Sequence, residues 1–323
     1  MKFARLAGAA ALAVIAAGAA QAQIKLALDS PPDPENAGGY VWATAFADHM
    51  NANGMETTLF QRGALGEEAE RLDQVSAGLL EVSMSAVKTA GSLDKLIFGV
   101  YLPYLFKDVA GLDHALGAGG MMARINAGTT PKGVRVLAFQ AVGRPTGIFN
   151  TRHPVESLAD MADLRMRALD ETQIALFKAW GATGTIVSWA EVPNALQTGV
   201  ADGYLNPPFV PLLFGHADFI KYFTDAAVSP SMRIVIASED WYQGLSAEQR
   251  AIVDEAASKA TAANREWLEG RAGILDKLAA AGIAVTRLSE EERAKFEQAS
   301  SAVYMDGALS PEQVALWLAA AGR

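Results

Sequence analysis

Apolar and polar residues alternate over Ile24-Lys25-Leu26-Ala27-Leu28, which predicts a strand. A loop with Pro31, Pro32 and Pro34 follows, and helical spacing then runs from about residue 40 to 51. Residues 57–61 read as a second strand, 66–77 as a helix with Leu72 and Val75 inward, and 82–86 as a third strand. This β-α-β-α-β order favours a parallel sheet with helices on its faces, an α/β fold. Gly117, Gly119 and Gly120 mark a turn farther along.

In the second half, residues 134–139 and 147–150 read as strands on either side of Arg144. Ser157-x-x-Asp160 opens a short turn before a strand over 164–168. Asp170 caps a helix carrying Ile174, Phe177 and Trp180, which Gly181 closes. Ser188-x-x-Glu191 has the spacing of a capping box for a helix ending near Gly199. Residues 233–238 predict another strand. Ser246-x-x-Gln249 caps the longest periodic stretch, from 247 to about 281, with Ile252, Ala256, Ala263, Trp267, Ile274 and Leu278 on one apolar face. A helix of that length would span ~50 Å and could cross two lobes; a coiled-coil or packing helix would read the same way. Gly270 and Gly273 are where it could bend. Residues 283–288 predict a last strand, followed by helices capped by Ser289 and by Ser310-Pro311.

Residues 1–22 change the picture of where the chain works. Lys2 and Arg5, an apolar run from Leu6 to Ala19, and Ala20-Gln21-Ala22 predict a secretory signal peptide cleaved near Ala22, and hence a periplasmic location. The apolar run is shorter than the ~20 residues a membrane anchor needs. The remaining residues exceed what one compact core usually holds, so two lobes are expected. A 51% hydrophobic content excludes a disordered chain, and the absence of cysteine excludes disulfides and thiol chemistry. A net charge of −9 argues against nucleic acid or an anionic membrane surface as partner. An anion would have to be held by a local group of cations.

Several residues could form such a group. In Leu164-Arg165-Met166-Arg167-Ala168 the two arginines share the face opposite Leu, Met and Ala. A guanidinium fork can grip a carboxylate through two parallel charge-assisted hydrogen bonds; two solvated surface arginines would show the same spacing. Arg144 lies between two strands, where a cation could face a cleft. Asn206 precedes Pro207, which pushes it to extended geometry and can aim its amide outward, or simply serve a turn. Trp189 could stack on a planar ligand or pack in the core. Glu67 could accept a hydrogen bond from a ligand or favour a helix start. The four histidines have no metal-ligand spacing, and no nucleophile elbow, P-loop or dinucleotide fingerprint is present. The signals for an enzyme are therefore poor, and no cofactor or metal is expected.

Phe60-Gln61-Arg62-Gly63-Ala64-Leu65-Gly66-Glu67-Glu68 resembles the "FPxGQLG" stretch of the extracytoplasmic solute-binding proteins of TRAP transporters, the DctP-type family. Gln74-Val75-Ser76-Ala77-Gly78-Leu79-Leu80-Glu81-Val82 resembles their "QVxxGTLDM", and Leu102-Pro103-Tyr104-Leu105-Phe106 their "LPFLF". Leu164 to Arg167 and Trp189 to Pro207 match best, and the order and spacing cover nearly all of the chain after residue 22. The resemblance implies a two-lobed periplasmic binding-protein fold with a ligand cleft between lobes and a long helix spanning both. It divides the chain into lobe I, residues 23–143 plus 232–273, and lobe II, residues 144–231 plus 274–323. It implies that Arg167 pairs with the ligand carboxylate, Arg144 is a second cation, Asn206 bonds the same carboxylate, Trp189 is an aromatic neighbour and Glu67 a polar specificity position. Tyr204-Leu205 stands where the family often has Gln-Glu, so Tyr204 with Trp189 points to a more apolar or aromatic acid.

The resulting expectation is a monomeric periplasmic receptor that captures a small organic acid by an arginine clamp and delivers it to TRAP permease subunits. A binding protein for an ABC importer or a sensor kinase, or a periplasmic enzyme, are the alternatives.

Overall fold

The structure is a computed structural model that describes residues 23–271 and 273–323. The expected signal peptide lies outside the described residues. Two mixed sheets, each covered by helices on both faces, make two lobes.

Lobe I begins with β1 (Ile24–Ala27), the helix Gly38–Ala52, β2 (Thr57–Phe60), the helix Glu68–Ser76 and β3 (Val82–Ser85). These match the sequence pattern, and β2-β1-β3 pair in parallel as the β-α-β-α-β order requires. The long β4 (Val134–Gly143) carries the chain out to lobe II. There it builds β5 (Gly147–Asn150), β6 (Arg165–Ala168), β7 (Thr183–Ile186), β8 (Gly203–Asn206) and β9 (Tyr222–Asp225). β10 (Ser231–Ser238) returns to lobe I and pairs antiparallel with β3 and β4, completing the order β2-β1-β3-β10-β4. The lobe II sheet runs β11-β9-β5-β8-β6-β7, with β11 at Ala284–Arg287. Alternation along β10 sends Ile234 and Ile236 to one lobe I core, and Val235 and Ala237 to the other.

Between the lobes, the two crossing segments bond each other. Thr146 donates to Ser229 O at 2.9 Å, and Val228 donates to Thr146 O at 2.8 Å. Both segments lie outside the strands, between β4 and β5 and between β9 and β10.

The single helix expected over 247–281 is two helices. Ala247–Glu269 lies on lobe I, where buried Asn264 bonds both the N–H and the carbonyl of Ala141. It ends at Gly270, and Ile274–Ala280 resumes in the lobe II core. Among the described residues no single helix therefore spans both lobes, and the first helix ends at Gly270 while the second starts after Gly273. The buried face of the first helix is Val253, Ala256, Ala257, Ala260 and Asn264, with Ile252 packed partly buried at its edge.

A second departure concerns the end of the chain. Helix Pro311–Ala320 packs in the lobe I core through Val314, Trp317 and Ala320, not in lobe II. Trp317 donates its indole N–H to Leu96 O at 2.8 Å. Gly99 makes room for it, since a Cβ there would lie 1.8 Å from the indole nitrogen. The lobe boundary thus crosses once more before Leu309, which already belongs to the lobe I core. No described helix is long and apolar enough to cross a membrane.

Candidate functional site

In open α/β sheets, ligands occupy the crevice outside the carboxyl ends of the strands. Here those ends meet: Lys88, just after β3 on lobe I, donates to the Leu169 carbonyl just after β6 on lobe II. The candidate site is sought at this meeting.

On the lobe II side, β6 presents two arginines with different surroundings. Arg165 is half-exposed and makes a bidentate pair with the buried Asp202, at 3.0 and 2.8 Å. Arg167 is only 5% exposed. Its Nε donates to Val187 O at 2.9 Å, and its guanidinium lies 5.7 Å over the Trp189 ring. Among the described residues no carboxylate pairs with it. Burial lowers its pKa to about 10, although Asp170 and Tyr204 pull the other way. A buried guanidinium without an acid partner is costly, and an anion relieves that cost.

Trp189 stands beside Arg167 on the three-residue turn Trp189–Glu191. The expected capping box is absent. The Ser188 hydroxyl donates to the Glu191 carboxylate at 3.0 Å instead of capping a backbone N–H, and the α-helix proper is Val192–Thr198. Phe214 meets the indole edge-on at 5.3 Å. Trp42, Trp180, Trp267 and Trp317 donate their indole N–H to protein acceptors, whereas Trp189, like Trp241, makes no such bond among the described residues.

Tyr204 does not line the cleft directly. Strand alternation on β8 turns it into the core with Phe149 and Phe223, and it is fully buried. Its hydroxyl lies 3.2 Å from His216 Nδ1, and burial raises its pKa. It acts from behind Trp189, which meets its ring at 6.1 Å. Asn206 ends β8 opposite Gly147, and its Nδ2 is buried with no protein partner.

Arg144 sits on the first crossing, 3.4 Å from Asp225, with its Nε buried and unpartnered. It borders a small cavity of about 10 Å³ at the lobe junction, with Asn36, Phe209, Trp267 and Arg271. The structure therefore places Arg144 on the hinge side and does not show it touching Arg167.

Glu67 is an exposed N-cap, and Glu70 bonds its N–H at 2.9 Å. The inward acid is its neighbour, because one residue turns a helix position by ~100°. Glu68 accepts from Arg233 of β10 and from Ala86 N, the latter at 2.9 Å.

Arg233 is the site residue that spacing alone did not reveal. It is clasped by Glu68 and by Asp29, which follows β1. Burial alone would lower its pKa, but the two carboxylates outweigh burial and raise it. Beside this pair, Asp29 Oδ1, Ser30 Oγ and both polar atoms of Gln140 are buried without protein partners. All three residues surround Gly39, where a Cβ would approach them to 3.1–3.2 Å. Period-two spacing on β10 gave Arg233 a strand, but its partners lie 204 and 165 residues away.

Lobe I thus offers a polar wall whose arginine is already paired, and lobe II a cation without a carboxylate partner among the described residues, beside an indole. No group of three or more metal-binding side chains occurs among the described residues.

The chain matches the family model of bacterial extracellular solute-binding proteins, family 7 (DctP), over residues 33–309. It is 29% identical to the ectoine/5-hydroxyectoine-binding periplasmic protein UehA of Ruegeria pomeroyi, over 81% of this chain and 79% of that protein. It is 27% identical to the C4-dicarboxylate-binding periplasmic protein DctP of Rhodobacter capsulatus, over 84% and 82%. A TRAP periplasmic solute-binding protein from Ochrobactrum anthropi, whose C-terminus is bound in its ligand pocket, superposes with a TM-score of 0.80 at 26% identity, over 93% and 94% of the two chains. Such proteins bind solutes and are not enzymes. By this match across most of its length, the chain belongs to the family 7 extracellular solute-binding proteins, the receptors of TRAP transporters.

Proposed function

We propose that this protein is a periplasmic receptor that captures a small organic acid between its lobes and delivers it to a TRAP membrane permease. In this reading residues 1–22 direct export, the receptor works as a monomer, and Arg167 receives the carboxylate. The observation that carries the proposal is the burial of Arg167 without an acid partner. Trp189 supplies an apolar face beside it, and the Asn206 amide adds a donor. Arg144, on the crossing, adds positive potential from the hinge side. The ligand's other polar end finds Asp29, Ser30 and Gln140 on lobe I. Closure over the ligand removes water and strengthens each contact, with the crossings at Thr146 and Val228 absorbing the motion.

The test is a thermal-shift screen of the mature protein against ectoine, C4-dicarboxylates, sugar acids, aromatic acids, sulfonates and neutral sugars. A ligand at 100 times its Kd stabilises by about 2.7 kcal/mol. Shifts with one group of carboxylates, lost in Arg167→Ala, are expected. Shifts with neutral sugars alone would sink the clamp.

A further inference from the structure

The Trp189 indole is held by rings rather than by hydrogen bonds. His216 faces it at 5.1 Å and 37°, Phe214 meets it edge-on, and Tyr204 closes the third side. Arg167 lies against the same indole. His216 is itself buried, at 3% exposure, and packs on Phe219. A phenylalanine would fill that space equally well. What the imidazole adds is a hydrogen-bond partner for the buried Tyr204 hydroxyl. That bond also fixes the rotation of the imidazole plane, and this plane is the surface on which Trp189 rests.

Resting on the clamp reading above, we propose that the Tyr204–His216 hydrogen bond sets the angle of the Trp189 indole against Arg167 and thereby decides which acids the cleft accepts. His216 is a positioning residue, since its side chain reaches the ligand only through Trp189. Burial holds its pKa below the usual histidine value, and no carboxylate offsets this. At neutral pH it therefore adds no charge beside Arg167, and the anion's affinity stays with the guanidinium.

The experiment compares Tyr204→Phe/His216→Phe and His216→Asn with the full mature protein. Trp189 emission is isolated as the difference between each protein and its Trp189→Phe version. The double variant strands no polar group and keeps both rings, so its Tm should stay near the parent's. Its Trp189 emission should nevertheless become about twofold more quenchable by acrylamide, because the imidazole plane is no longer locked. His216→Asn keeps a hydrogen-bonding atom near Nδ1 but removes the ring, and should show the same rise. The ratio of thermal shifts from 4-hydroxybenzoate and succinate should change with it. Unchanged quenching and an unchanged ratio in the double variant would show that His216 only satisfies the hydroxyl, overturning the proposal. Loss of the clamp reading would show separately, as Arg167→Ala binding like the parent while the quenching result stands.

Discussion

Arg167 on lobe II and Arg233 on lobe I are two arginines with opposite surroundings. Arg233 is clasped by Asp29 and Glu68 and held more firmly protonated than usual. Arg167 has a carbonyl, an indole and no carboxylate, and burial weakens its hold on its proton. The difference separates structure from function. The fold satisfies Arg233 by itself, whereas Arg167 has no paired carboxylate among the described residues, which is what the proposed clamp rests on. Arg165 repeats the lesson two residues away, since Asp202 already occupies it.

Breaking the comparison begins with Arg233→Met. It leaves Asp29 and Glu68 facing each other without their cation, and should cost about 3–5 kcal/mol in denaturant unfolding. Arg165→Ala strands the buried Asp202 carboxylate, but Arg165 is half-exposed and Arg152 remains nearby at 3.8 Å. Its cost should be clearly smaller than that of Arg233→Met in the same unfolding experiment. Arg167→Met should go the other way. Removing an unpaired buried charge should leave the ligand-free protein as stable or up to about 1 kcal/mol more stable. A fall as large as that of Arg233→Met would mean that Arg167 already has a structural partner.

The smallest effect sharpens the lobe I half. Burial alone would raise the Glu68 carboxyl, but Arg233, Ala86 N–H and Arg71 hold it below its ordinary value of 4.5. Its contribution to stability is therefore full above that value and is lost as pH falls through the lower folded-state value. Tm against pH for Glu68→Gln should lie below the parent at pH 7 and converge with it under acid conditions. Parallel curves would remove the ion pair from the account.

Much of this was readable in the chain. Alternation over Ile24–Ala27 and Val82–Ser85 places two lobe I strands, and Asp170 caps the helix Glu171–Ala179 as its spacing predicts. The alternation of Leu164, Met166 and Ala168 correctly sets Arg167 on the opposite face. What period-two spacing could not do was tell Arg165 from Arg167, because the deciding partner, Asp202, lies 37 residues on. Glu67 and Glu68 differ by one residue, and only the packing of Glu68 against β10 chooses between them. Tyr204 looked available because aromatic residues serve both cores and clefts, and register with Phe149 settled it inward. Helix 247–269 kept its apolar spacing through the break, so periodicity ran on where two glycines and a change of lobe ended the helix. The C-terminal helix has a legible cap at Ser310, but its destination depends on a slot at Gly99 more than 200 residues earlier.

The most direct measurement is calorimetric titration of Arg167→Ala and Arg165→Ala, side by side with the parent, using the carboxylate that gives the largest thermal shift. The account predicts a loss of about 100-fold or more for Arg167→Ala, and less than about threefold for Arg165→Ala. Equal losses, or undiminished binding by Arg167→Ala, would contradict it.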